Sequence, residues 1–555
     1  MEKRTILAIA LSLVVLLGWQ FFFPPVKPDI RTITKVTDST EKTTTKESVV
    51  SKVDRREREV KAAAVKPKEV KPVVGQLAAN SVDKKPPVGR QLVIDSSIYR
   101  CVINTAGGVV QKFTLKKYHR DITPNSPLLE MVSVVDQGYY PLSGRITLDA
   151  QIIADRRFLY RLENEAQLAT QIQLKDKPLT VKMRAPLTTG MTVVKKYVFY
   201  PDEYYFDLQY LIVDPQGQPV QVKAASLFWA YESLPNVKKK RYVYTGPMAY
   251  VDGKLFKQSK KQKNIKRLEL DGRVNWIGYS DKYFLAAIMP SKIADVSKTT
   301  GIIEKPVDRI VETGLQLASP ETFRVFVGPK ETSYLKKFNL DLEKSVEFGW
   351  FGIIARPLVQ MLNFFQRYLH NYGLAIILLT VLIKLVFYPL SQKSYQSMSK
   401  MKEIQPKLAK IKEKFKDDKA RQQKEMMDLY RTHKVNPFGG CLPIVVQIPV
   451  FFALYRGLMV AIELRHAPFF LWIQDLSAPD PYYVTPILMG VTMFLQQKMT
   501  PSTGDAMQAK LMLFMPIIFT FMFLNFPSGL VLYWLVNNIL SIAQQYMVMR
   551  KVKIS

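Results

Sequence analysis

Residues 373–390 read GLAIILLTVLIKLVFYPL, an apolar run with one lysine inside it. Extended back to Asn371, the run is about 20 residues, or roughly 30 Å of helix at ~1.5 Å per residue, the thickness of a bilayer core. A cation at membrane depth costs ~2.5–3.5 kcal/mol on insertion scales. Thr380 lies one turn before Lys384, about 40° away around the helix, so the two polar groups share a face. Two readings fit this lysine. It snorkels to the near interface along its own stem, or its face lines a wet cavity inside a helical bundle.

The chain has 555 residues and a net charge of +32. That length accommodates a membrane bundle and a large soluble domain. The basic residues are spread over a linker and membrane-flanking loops. No nucleic-acid module or groove-reading motif accompanies them, so anionic lipid and the positive-inside rule account for the charge without nucleic-acid specificity. Two cysteines, Cys101 and Cys441, fall on opposite sides of the expected membrane, which excludes a disulfide framework. Four histidines, His119, His370, His433 and His466, have no metal-ligand spacing. No Walker loop or GxSxG is present, and no metal, cofactor or catalytic residue is expected.

MEKR and the apolar run Thr5–Phe23 open the chain. The run ends in aromatics rather than a small-residue cleavage site, so residues 1–25 read as an uncleaved anchor with a cytoplasmic N-terminus. Residues 26–90, basic and poor in aromatics, read as a disordered tether. In residues 91–340 the character changes. YYFDLQYLIVD at 204–214 alternates, with Phe206, Leu208, Tyr210 and Ile212 on one face. Further strands are expected at 91–104, 191–200, 226–232, 283–289 and 322–327. Turns are expected at Gly107–Gly108, Pro201–Asp202 and 214–219. The expectation is a large, mostly β sandwich on the outer side.

Residues 343–370, aromatic and interrupted by Pro357, read as an interfacial amphipathic helix. The second span covers 371–390. Residues 391–437 then read as a helical hairpin: Met401, Ile404, Leu408, Ile411 and Phe415 form a coiled-coil seam. Asp417–Asp418 breaks and recaps the helix, and Ala420, Gln423, Met427 and Tyr430 continue a weaker seam. Between 391 and 434 stand 13 Lys/Arg against 6 Asp/Glu, which makes this loop cytoplasmic. Spans at 442–462, 482–499, 510–525 and 528–548 follow, and 549–555 is a basic cytoplasmic tail. The fold class is a multi-pass α-helical membrane protein, an N-terminal anchor plus a five-helix bundle, with a large all-β outer domain. Both termini are inside.

The last span carries a stripe of Tyr533, Asn537, Ser541 and Gln544, at about 40°, 80° and 20° from Tyr533. Gln447 is a membrane-depth amide. Such a stripe is often helix–helix glue, worth ~0.6 kcal/mol per hydrogen bond. Lys384, however, has no carboxylate to meet in the spans, Asp505 sitting in an inner loop. An unpaired cation among amides and hydroxyls favours a hydrated groove. Arg456 lies roughly 180° around its helix from Gln447 and packs or snorkels elsewhere. The fifth span, LMLFMPIIFTFMFLNF, is about 24 Å of helix, short enough to thin the bilayer locally.

The stretches YPLSQKSYQSMSKMKEIQPKLAKIKEKFKDDK, KVNPFGGCLPIVVQIPVFFALY, ELRHAPFFLWIQDLSAPDPYYVTPILMGVTMFLQQKM and FPSGLVLYWLVNNILSIAQQ resemble the YidC membrane-protein insertase family, along the whole chain. The large outer domain resembles the Gram-negative branch, which implies a periplasmic β-supersandwich and the bacterial inner membrane, with residues 26–370 on the periplasmic side. The resemblance implies a groove open to cytoplasm and lipid and closed outside, with no catalytic chemistry. Lys384 stands where the family usually has arginine. It keeps the charge but not the bidentate fork. Thr380, Gln447 and Tyr533 match groove or substrate-contact positions, with Asn537 and Ser541 beside them. Trp534 and Phe387 would contact sliding segments. Implied partners are nascent membrane proteins, the Sec translocon and SecDF, the ribosome or targeting machinery through the hairpin, and membrane lipid.

Two rival readings are a solute or ion transporter and a membrane-anchored periplasmic carbohydrate-binding protein. The first predicts inverted repeats and broken helices around a midplane site. A sugar-active enzyme would need paired acid–base groups, and the domain's His119 has no evident partner.

Overall fold

The computed structural model describes residues 68–69 and 88–554, apart from 124, 133–137, 149–150, 164–168, 188, 233–243, 260, 293–295, 297–298, 318–321, 434, 436–441 and 501–505. The expected N-terminal anchor, nearly all of the tether, Cys441 and Asp505 lie outside the described residues.

Alternating apolar residues build a β domain of three sheets. The nine-stranded sheet runs in the order Lys254–Lys257, Gly246–Val251, Val274–Ser280, Phe284–Pro290, Thr322–Pro329, Tyr205–Val213, Thr192–Phe199, Leu179–Pro186, Arg161–Leu162. A seven-stranded sheet, centred on Thr299–Val307, Ile310–Leu317 and Ala224–Glu232, packs against it. In the five-stranded sheet, Gln91–Asp95 pairs parallel with Gln171–Gln173. The alternation read at 204–214 is a central strand: Phe206, Leu208, Tyr210 and Ile212 are fully buried. The expected strand 91–104 is two, Gln91–Asp95 and Tyr99–Asn104, broken by a turn at Ser96–Ile98 and paired antiparallel. Gly107 and Gly108 take positive φ at their turn, where the glycines avoid the usual Cβ penalty.

The core also holds a charge pair. Lys195, fully buried, reaches Asp155 at 2.7 Å and donates to the carbonyls of Gly107, Gly108 and Leu142 at 2.7–3.1 Å. Burial holds its pKa below the usual lysine range. On the outer face of the seven-stranded sheet, Glu312 accepts from Arg145 at 3.0 Å and Arg156 at 2.7 Å, and Arg145 also bonds Glu304.

After the short helix α1 (Thr332–Leu335) the chain is helical: α2 Gly352–Leu369, α3 Tyr372–Val386, α4 Tyr388–Lys414, α5 Lys419–Thr432, α6 Leu442–Val460, α7 Val484–Met499, α8 Ala506–Phe523 and α9 Ser528–Ile554. Among the described residues no single helix is long and apolar enough to cross a membrane. The pair α3 and α4 qualifies together, bent by 65°. The expected span 371–390 therefore stops at Val386. Pro389, in the first turn of α4, has no N–H to carry the hydrogen-bond ladder across Phe387.

Pro357 does not interrupt α2, contrary to the sequence expectation. It removes one ladder bond, while Ala355, Leu358, Val359 and Leu362 bury the face packed on α3 and α6. That packing is close, since a Cβ on Gly457 would meet Val359 at 2.8 Å. α8 runs 18 residues, longer than expected from its apolar stretch, and α9 stays helical through the basic tail to Ile554.

In the hairpin, Asp418 caps α5 by accepting from the Arg421 N–H. Met401, Ile404 and Leu408 are buried, with Val435, Met426, Leu429 and Tyr430 against them. Ile411 and Phe415 are only half-buried, and Phe415 lies under Lys414 and Arg421. The return seam is Gln422, Met426, Leu429 and Tyr430. Ala420, Gln423 and Met427 are exposed. Both sets have helical spacing, and the more apolar one, with Leu429, takes the inside.

Candidate functional site

α3 begins at Asn371, whose side chain accepts from the Leu374 N–H and so fixes where the helix starts. Three turns on, Lys384 points toward α9. Its Nζ donates to Ser541 Oγ at 2.6 Å, and Ser541 Oγ donates to the Asn537 carbonyl at 2.7 Å. Asn537 Oδ1 accepts from Gln447 Nε2 of α6 at 2.5 Å. One polar chain thus links α3, α9 and α6. A small cleft beside it is lined by Ile383, Lys384, Phe387, Leu390, Ser391 and Gln447.

The other expected residues divide. Tyr533 is buried beside Gln447, its hydroxyl without a close hydrogen-bond partner among the described residues. Thr380 is buried, but its hydroxyl bonds back to the Ile376 carbonyl at 2.6 Å and does not join the chain. Phe387 lines the cleft at the kink. Trp534 lies in an aromatic cluster, edge-on to Phe451 at 4.6 Å and near Phe523 at 5.3 Å. Within that cluster it is half-buried. Arg456 lies by the turn at Gly349, where an added Cβ would stand 3.5 Å from its Nε.

Sequence reading missed two contributions from the first turns of α4. Tyr395 stands against Ser541, and the Tyr388 carbonyl accepts from Gln544 at 3.3 Å. Ser391 and Ser394, also buried there, were the available signal: small polar residues at helical spacing just after a kink. The arrangement holds one cation, hydroxyls and amides among apolar walls. Such a set can solvate polar peptide groups and attract carboxylates.

A family model described as YidC periplasmic domain matches residues 91–361, and one described as 60Kd inner membrane protein matches residues 364–555. The membrane protein insertase YidC of Syntrophus aciditrophicus (strain SB) is 41% identical over 562 residues, covering 98% of this chain and 99% of that protein. The membrane protein insertase YidC of Geobacter metallireducens is 39% identical over 556 residues, covering 98% of each. Among solved structures, an active YidC insertase with its first transmembrane domain resolved aligns at a TM-score of 0.37 and 18% identity, covering 83% of this chain and 94% of that one. The chain belongs to the YidC family of membrane protein insertases: it is an inner-membrane protein with a large periplasmic β domain, its substrates are nascent membrane proteins, and it is not an enzyme.

Proposed function

We propose that Lys384, Ser541, Asn537 and Gln447 form the polar wall of a groove, open to cytoplasm and lipid, that receives membrane segments during insertion. Thr380 and Tyr533 stiffen its helices, and Phe387 and Trp534 present apolar surface to the segment. The single observation that carries this reading is the inward turn of Lys384 onto Ser541. A snorkelling lysine would extend toward the interface instead. Hydroxyls and amides keep the ammonium partly solvated at a cost the bilayer alone would make prohibitive. An acidic tail travelling outward is drawn to that charge, while its apolar segment partitions into lipid past α3 and α9.

The same reading extends to the architecture: an N-terminal anchor, a β-supersandwich outside, a five-helix core and a cytoplasmic hairpin formed by α4 and α5. Support for the hairpin's side comes from its basic charge and from the bundle's opposite end, where loop 463–481 meets the β domain. The hairpin is the docking element for ribosome or targeting machinery, and the outer domain the one for SecDF and the Sec translocon.

The test is complementation in cells depleted of the native insertase, with Lys384→Arg, Lys384→Ala and Lys384→Glu and a one- or two-span reporter with an acidic outer tail. Arg supports insertion, and Ala and Glu lose it selectively for that reporter. Wild-type insertion by Lys384→Ala refutes the charge role and leaves function to bilayer thinning and apolar contact.

A further inference from the structure

The β domain meets the helical region through a cation in loop 463–481. Arg465 Nη2 donates to the carbonyls of His119, at 2.5 Å, and Arg120, at 3.0 Å, where the strand Val109–His119 ends. Its guanidinium carbon lies 5.6 Å from the Phe284 ring centroid, and Tyr118 meets the same ring edge-on at 5.2 Å. Tyr283 stands beside Ser477 of the loop. The domain side of this seat is rigid. Asp281 accepts from the N–H groups of Tyr283 and Phe284, and Lys330 Nζ donates to the Asp281 carbonyl at 2.6 Å.

The loop's other face is fastened to the helices that carry the polar chain. Asn371, the cap of α3, donates from Nδ2 to the Phe469 carbonyl at 3.1 Å. At the start of α9, Ser528 N–H donates to the Ala478 carbonyl at 2.7 Å and Gly529 N–H to the Leu476 carbonyl at 3.0 Å. Asp480 accepts from Trp472 Nε1 and from Thr485 N–H at the start of α7. A Cβ on Gly373 would strike Phe469, so loop and helix are in close contact. One segment is therefore held between the domain and the outer ends of three helices.

We propose that Arg465 seats the periplasmic domain on this loop, so that the domain braces the outer ends of α3 and α9. Arg465 is then a positioning residue for insertion. The brace stands without the groove reading, whereas its effect on insertion rests on it. The guanidinium suits the task because one planar terminal nitrogen, Nη2, serves two carbonyls while the guanidinium carbon lies over an aromatic ring. A lysine keeps the charge and only part of that geometry.

The test compares hydrogen exchange in full-length protein in lipid nanodiscs for wild type, Arg465→Ala, Arg465→Lys and Phe284→Leu. Loss of charge-assisted bonds raises exchange of amides 466–478 in Arg465→Ala by about ten-fold, with the strand Tyr205–Val213 unchanged. Arg465→Lys restores part of the protection, and Phe284→Leu loosens the same amides less. Exchange in Arg465→Ala within about two-fold of wild type overturns the brace. Faster exchange throughout the β domain that Arg465→Lys does not restore also overturns it, since Arg465 is then a general stability residue. Reporter insertion is measured with the same variants. A loosened loop with a wild-type insertion rate overturns the positioning role. If Lys384→Ala also inserts normally, the groove reading fails on its own and the exchange result still decides the brace.

Discussion

Lys384 Nζ and Ser541 Oγ stand 2.6 Å apart, a bond that ties the helix before the kink to the last helix across 157 positions of sequence. Ser541 passes the link to the Asn537 carbonyl. Ser541→Ala keeps the cation and removes its acceptor. Insertion of the acidic-tail reporter is expected to fall less in Ser541→Ala than in Lys384→Ala, because the long-range charge survives while a bond worth about 1.5–3 kcal/mol is lost. Initial insertion rates of the two variants check this ordering. Equal loss in both would mean that the bond matters and the charge does not.

Gln447 Nε2 donates to Asn537 Oδ1 at 2.5 Å. Gln447→Leu leaves Asn537 without that donor and is expected to cost about 1–3 kcal/mol. The double variant Gln447→Leu/Asn537→Leu should cost less than the sum of the singles, since it leaves no orphaned amide. Thermal unfolding of the four purified proteins closes the cycle.

In the β domain, Lys195→Met leaves Asp155 charged and unpaired in a fully buried site. The expected destabilisation is about 3–5 kcal/mol. Urea unfolding of the full chain, followed by fluorescence of the buried Trp229 and Trp276, measures it. Adding Asp155→Leu should recover part of the loss, because the stranded charge is gone.

Glu312 titrates against the usual trend. Burial outweighs Arg156 and Arg145 and, with the neighbouring Glu304, pushes its pKa up to about 7. A carboxyl raised above its unfolded value stabilises the fold when protonated. Its contribution is complete below about pH 4.5 and is lost as pH rises to about 7. His466, elsewhere in the chain and held below its ordinary value first by burial, acts with the opposite sign, so the informative quantity is wild type minus Glu312→Gln. That difference is expected to fall between pH 5 and 7 and to level off above. A flat difference refutes the assignment.

The hairpin rests on a small seam, Met401, Ile404 and Leu408 against Met426 and Leu429. Leu408→Asp puts an unpaired carboxylate there and is expected to cost at least about 2 kcal/mol. Proteolysis should then cut faster near 415–419, with the β domain as resistant as before. If the hairpin is the docking element proposed, co-sedimentation with ribosomes should weaken in the same variant.

Sequence reading reached furthest where structure follows a local period. Phe206, Leu208, Tyr210 and Ile212 disclosed their strand because every second residue of a half-covered strand faces the core. Asp418 disclosed the hairpin turn because only a short polar side chain caps a helix so directly. It missed where two local patterns competed. Ala420, Gln423 and Met427 have helical spacing, as Gln422, Met426 and Leu429 do, and only packing against α4 chose between them. It also missed Tyr395, because nothing in a residue eight positions past a kink tells which neighbouring helix it meets.

By itself, the sequence determined which segments are apolar helices, several of the strands, where the charge accumulates and that Lys384 interrupts an apolar run, because each depends on residues within a few turns of one another. Tertiary structure alone decided that α3 bends at Phe387 rather than running on, that Lys384 turns to Ser541, that Lys195 and Asp155 meet in the core, and that Arg465 reaches the end of a strand 346 positions away. Those outcomes depend on helix-crossing and sheet-packing geometry, set by the summed contacts of whole elements, which no short stretch of chain contains.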